Sequence, residues 1–190
     1  MDTEKIESNW ETFERLLKRL SDDNLNTLLE QLGERIAVCP LSMKKDQGGA
    51  YPGALVEHSL DVTLKMRTLN ESLELGLPMN SILKVGLLHD LGKIGDLEND
   101  YFIVQESEWH REKLGQMYTY SENIQKMSPT HRTLFLLQHF NISLTEEEWL
   151  AVQLSSGSHL EENRFYVRNE PTISLILQQA KSLSMHKIQD

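Results

Sequence analysis

The chain has 190 residues, 39% hydrophobic and 25% charged, with a formal net charge of -10. Its length suits one domain with a buried core, no apolar run nears the ~20 residues of a membrane span, and "MDTEKIESNW" lacks the apolar centre of a signal peptide. So acidic a surface repels a polyphosphate backbone, which argues against non-specific nucleic-acid binding but leaves room for a small anion in a locally positive pocket.

Ile6, Trp10, Phe13, Leu17 and Leu20 recur at helical spacing and predict an amphipathic first helix. Ser21 is placed to cap a second, with Leu25, Leu28, Leu29, Leu32 and Ile36 on its apolar face. "CPLSMKKDQGGAYPG" then breaks the periodicity with prolines and glycines; so long a loop is often functional. It opens with Cys39, the single cysteine, which reads as a buried, inert thiol in a reducing, cytoplasmic setting. A helix is expected from about Ala54 to Leu75, and another, capped by Asn80 or Ser81, through Ile82, Val85 and Leu88.

"YFIVQ" and "QMYTY" are rich in β-branched and aromatic residues and predict a hairpin at about 101–120 with a long or bulged connection. Helices return at about 130–140 and 145–156, the second opened by a capping box of Thr145 and Glu148. Pro171 and Thr172 start the last helix, with the apolar set Ile173, Leu175, Ile176, Leu177, Ala180 and Leu183. The expected fold is mostly α, a single helical domain over 1–190 with one inserted hairpin and an N-terminal helical pair (1–36) packed on the rest.

The chemistry centres on "VGLLHDLGKIGD". His89 and Asp90 stand where a helix ends, with Gly92 placed to stop it, so both side chains can turn toward one ion. Imidazole with carboxylate suits a divalent transition metal, and Lys93 is spaced to reach a phosphate oxygen nearby. His58, in "GALVEHSLDV", lies 31 residues before His89, and a helical hairpin would bring the two together.

"GGAYPGALVEHSLDV" followed by "VGLLHDLGKIGD" resembles the HD-domain superfamily of metal-dependent phosphohydrolases. The likeness is greatest to bacterial and phage members with an "HGAYxGGLxEHSLxV"-type stretch, a pattern shared with some exoribonucleases. "THRTLFLLQHFNISLTEEEWLAVQLSSG" is similar to a later family segment, and the resemblance spans about residues 25–185. It implies that His58, His89 and Asp90 hold a metal and that Lys93 sits near a substrate phosphate. It also implies a fourth ligand, a late aspartate in an "LLHxADxxA"-type motif; here "LILQQAKSLS" places Lys181 there. Histidines of members with a second metal correspond to Pro129 and Ser155, and the histidine before "GAY" corresponds to Gly48.

Two readings stay open. In one, a divalent ion (Mn, Mg, Fe, Zn or Ni) on His58, His89 and Asp90 activates water against a nucleotide or other small phosphoester, with Lys93 and Asp90 catalytic and His131 or His159 as replacement ligands. In the other, Lys181 pairs with Asp90, no metal is held, and the chain is a pseudoenzyme acting through ligand or partner binding. The missing ligands at Pro129, Ser155 and Lys181 argue against a third class, the related di-iron oxygenases.

Overall fold

The computed structural model describes residues 2–189. It is mostly helical: α1 (Thr3–Lys18), α2 (Asp23–Val38), α3 (Ala54–Ser72), α4 (Met79–Leu88), α5 (Glu108–Lys113), α6 (Pro129–His139), α7 (Glu146–Gln153) and α8 (Thr172–Gln189). The expected hairpin is present, with β1 (Phe102–Val104) antiparallel to β2 (Tyr118–Tyr120) in the register Phe102↔Tyr120, Ile103↔Thr119 and Val104↔Tyr118. Its long connection is not a bulge but the short helix α5, capped by Ser107.

Local chemistry explains several departures from the sequence reading. Asp22, not Ser21, caps α2: its carboxylate accepts from Asn24 N at 2.9 Å, and a negative charge also suits a helix N-terminus. Ser21 instead makes the left-handed link, at φ 51°. Helix α4 begins at Met79 after Pro78, with no side-chain cap from Asn80 or Ser81. The predicted α7 box is present, Thr145 Oγ1 accepting from Glu148 N while Glu148 accepts from Thr145 N. On α8, Leu175 and Leu183 are 46% and 51% exposed; Ile173, Ile176, Leu177 and Ala180 make the buried stripe.

Two apolar clusters build the core. The first joins α1 and α2 to the start of α3, the end of α4 and α6, through Phe13, Leu28, Val56, Leu88 and Leu136 among others. The second joins the rest of α3 and α4 to α7 and α8, through Val62, Met66, Val85, Ala151 and Leu177. Along α3 the first cluster ends at Val56 and the second begins at Val62; His58 lies in that interval. α4 is drawn close to α3 because Gly86 has no side chain: a Cβ there would meet Thr63 Oγ1 at 2.5 Å.

Gly92 has a different task from the helix stop expected of it. α4 already ends at Leu88, and Leu91–Ile94 continues as a single 3-10 turn. A Cβ on Gly92 would lie 2.0 Å from Pro129 O and 2.6 Å from Thr133 N, both backbone atoms of α6. Thr133 Oγ1 accepts from Gly92 N at 2.8 Å and donates to Pro129 O at 3.0 Å, stitching the two segments. Gly92→Ala is therefore expected to cost about 3 kcal/mol through overpacking, read as a lower urea midpoint; an unchanged midpoint would show that α6 does not bear on Gly92. Arg35 of α2 fixes the segment beyond, donating to Ile94 O, Asp96 O and Asp100 Oδ1.

Candidate metal centre

His58 is 1% exposed on α3, and its Nδ1 is 3.0 Å from Ser184 Oγ on α8. His89 caps α4 and is fully buried. Asp90 leaves the helical conformation, at φ -108° and ψ 13°, so its carboxylate can turn to the side His89 faces. One ligand atom from each of His58, His89 and Asp90 lies within 4.8 Å of the other two. The structure brings together the three residues whose types and spacing pointed to a metal.

Gly86 O is a pure acceptor 2.9 Å from His89 Nδ1. Nδ1 therefore carries the proton, and the neutral ring leaves the Nε2 lone pair free. That Nε2 is buried without a hydrogen-bond partner, as is Asp90 Oδ2; they lie 3.7 Å apart. His89 Nε2 is thus an unused electron-pair donor facing a carboxylate oxygen that makes no hydrogen bond, a geometry in which a cation could sit between them.

Two ammonium groups reach the same carboxylate. Lys181 Nζ donates to Asp90 Oδ1 at 2.9 Å, and Lys93 Nζ lies 3.1 Å from Oδ2, near enough to pair but off hydrogen-bond direction. Lys93 also donates to Leu41 O at 3.1 Å. The side chains are 18%, 22% and 8% exposed for Lys181, Lys93 and Asp90. The donor types fit a divalent ion; the charge does not, because two ammoniums outweigh one carboxylate.

These charges set the ionisation. Burial alone would raise the Asp90 carboxyl, but Lys181, then Lys93, hold it well below the usual range. Burial lowers Lys181, opposed by Asp90. Desolvation lowers His89 to about 4 and pushes His58 well below the ordinary imidazole value. Between about 6.5, where a free histidine titrates, and about 4, the unfolded chain holds a proton that folded His89 refuses; His58 shifts in the same direction. Neither group affects stability above that window; inside it His89 costs about 1.4 kcal/mol per pH unit of acidification, and His58 adds a loss of the same sign. Asp90 adds a further loss only below about 3.9. Urea midpoints at pH 7.5 and 5.0 should differ, and His89→Gln should flatten part of the slope; no difference would contradict neutral burial of the pair.

A cleft of about 640 Å³ opens beside His58 and Ser184. Gly48, Gly49 and Tyr51 of the 39–53 loop line it, with Glu57 and Lys45. Tyr51 donates to Glu57 Oε2 at 2.8 Å, and burial with that carboxylate pushes its hydroxyl up to about 12. A smaller cleft of about 220 Å³ lies beside Lys93 and Cys39. Burial drives the Cys39 thiol far up, so it stays protonated.

His131 and His159 are exposed and do not join the His58–His89–Asp90 group. His131 instead lines a groove with Phe135 and Trp149, and the His159 ring folds back over Gly157. Ser155 is buried with an unpartnered hydroxyl, and Pro129 touches the motif through its carbonyl. Sequence reasoning missed Ser184, the Gly86 carbonyl and the Leu41 carbonyl. Only Ser184 had a legible signal: it lies three residues after Lys181, on the same helical face.

No helix among the described residues is long and apolar enough to cross a membrane. No curated protein and no solved structure matches the chain significantly. Residues 55–185 match the HD domain, well over half of the chain, and the match takes in His58, His89, Asp90, Lys93, Lys181 and Ser184. By that match the chain belongs to the HD-domain family, within the superfamily of metal-dependent phosphohydrolases.

Proposed function

We propose that this HD-domain protein, a single domain with the α1–α2 pair included, binds a small phosphorylated molecule without a resident metal. The ligand is a nucleotide or similar phosphoester, and Lys181 supplies the positive charge that a metal would otherwise bring. The observation that carries this reading is the Lys181 ammonium 2.9 Å from Asp90 Oδ1. One carboxylate cannot neutralise Lys181 and Lys93 together, so the excess charge favours a phosphate oxyanion over a dication. Lys93, on the motif and partly exposed, is the group nearest to hand for the phosphate. The cleft beside His58 has the volume for a nucleotide-sized ligand, and Lys93 lines the smaller cleft beside Cys39.

A second reading, hydrolysis, is favoured by His89 Nε2 and Asp90 Oδ2, both buried without a hydrogen bond. His58, His89 and Asp90 would then hold the ion, which would supply an activated water. This chain's part would be to orient His89 through Gly86 O, exclude bulk water by burial and meet the phosphate with Lys93. The two readings separate in one experiment on the full chain prepared in chelator. Adenosine monophosphate should bind with unchanged affinity when divalent ions are added back, and no phosphate should be released. Turnover that needs an added ion and is lost in His89→Ala would establish the hydrolase instead.

A further inference from the structure

We propose that the cleft between the β1–β2 hairpin and the start of α6 is a separate site for the phosphate of a small phosphomonoester. The cleft holds about 620 Å³. Its lining residues are distinct from those of the His58–His89–Asp90 group and from those of the cleft beside His58.

Arg132 lines this cleft and is 3% exposed. Lys84, Lys93, Lys181 and Arg35 are less deeply buried, and each contacts a carboxylate. Arg132 makes no ion pair among the described residues. Its guanidinium donates to Gln125 O at 2.8 Å and to Gly92 O at 3.4 Å, and it stacks 4.9 Å from the Tyr101 ring centre. Those carbonyls use only part of the donor fork and carry no charge. Among the described residues Asp96 is the one carboxylate whose field Arg132 feels, and it makes no ion pair with it. A buried guanidinium with spare donors and no ion-paired carboxylate favours an oxyanion beside it.

The neighbouring groups also have hydrogens to give. Ser121 Oγ accepts from Asn123 N and Ser128 Oγ accepts from His131 N, both at 3.2 Å. Each hydroxyl is therefore already used as an acceptor and keeps its own hydrogen for a ligand. Lys126 adds an ammonium, and Glu122 is the one carboxylate lining the cleft. So many donors suit the three terminal oxygens of a phosphomonoester better than the two of a carboxylate. The Tyr101 and Tyr120 rings, 4.8 Å apart, offer the carbon part of the ester an apolar wall.

The test is a titration of the full-length chain with inorganic phosphate, followed by amide NMR. Saturable shifts should appear at residues 121–128. They should need about tenfold more phosphate in the Ser121→Ala/Lys126→Gln double variant, and persist unchanged in Lys93→Gln, a residue that does not line this cleft. Shifts confined to the surroundings of Asp90 and Lys181, or an unaltered midpoint in the double variant, would overturn the site. An equal response to acetate would overturn its assignment to phosphate.

Discussion

Lys181→Asp is expected to turn a site that, on the proposed reading, holds no resident metal into one that does. The substitution removes an ammonium 2.9 Å from Asp90 Oδ1 and puts a carboxylate on the same turn of α8. Counting Asp90, Lys93 and residue 181, the formal charge falls by two units, from one positive to one negative. At ~4 Å and an effective dielectric of about 20, each unit-charge contact is worth roughly 4 kcal/mol. Halving this for solvent reaching an 18% exposed side chain leaves several kcal/mol. That is at least about 100-fold in metal affinity, since about 1.4 kcal/mol is a factor of ten. The new carboxylate would be a fourth protein donor beside His58, His89 and Asp90. Mass-spectrometric metal analysis after equilibration with manganese or zinc reads the outcome. A variant that gains no metal would show that the ammonium is not what keeps the ion out.

Asp90→Asn is expected to be the most destabilising single change in the site, by about 3 kcal/mol. It strips the only carboxylate from two partly buried ammoniums, and breaking such a pair from one side leaves uncompensated charge. The partial exposure of Lys93 and Lys181, 22% and 18%, lets them move toward water, which keeps the cost at the lower end of the range. Lys181→Met alone leaves Asp90 paired with Lys93 and should cost less. The double change Asp90→Asn/Lys181→Met should recover at least half of the loss, a coupling that urea denaturation of the four proteins measures. A double variant as unstable as the sum of the singles would mean that Lys181 and Asp90 do not interact in solution.

What was readable from the sequence follows from which interactions are local. The helices, the capping box of Thr145 and Glu148, and the hairpin strands rest on periodicity and neighbouring residues, and they were legible. So were His58, His89 and Asp90, because a resemblance carried by contiguous motifs marked them before any contact was known. The cap of α2 was misread because serine and aspartate stand side by side at 21 and 22, and only the backbone turn decides which one faces the helix. Gly92 was misread for a different reason. Its role lies in the approach of Pro129 and Thr133, some forty residues on. The carbonyls of Gly86 and Leu41, which orient His89 and Lys93, leave no trace in residue type. Arg132 was passed over because its cleft exists only once the hairpin lies against α6.

On the proposed reading, Lys181 and not a divalent ion neutralises Asp90. The most direct test of that reading is the metal content of the unaltered full-length chain, purified without chelator, equilibrated with manganese and then with zinc, and freed of unbound ion. The expected result is far less than one ion per chain and no difference between this protein and His89→Ala. One tightly held ion per chain, lost in His89→Ala, would contradict it.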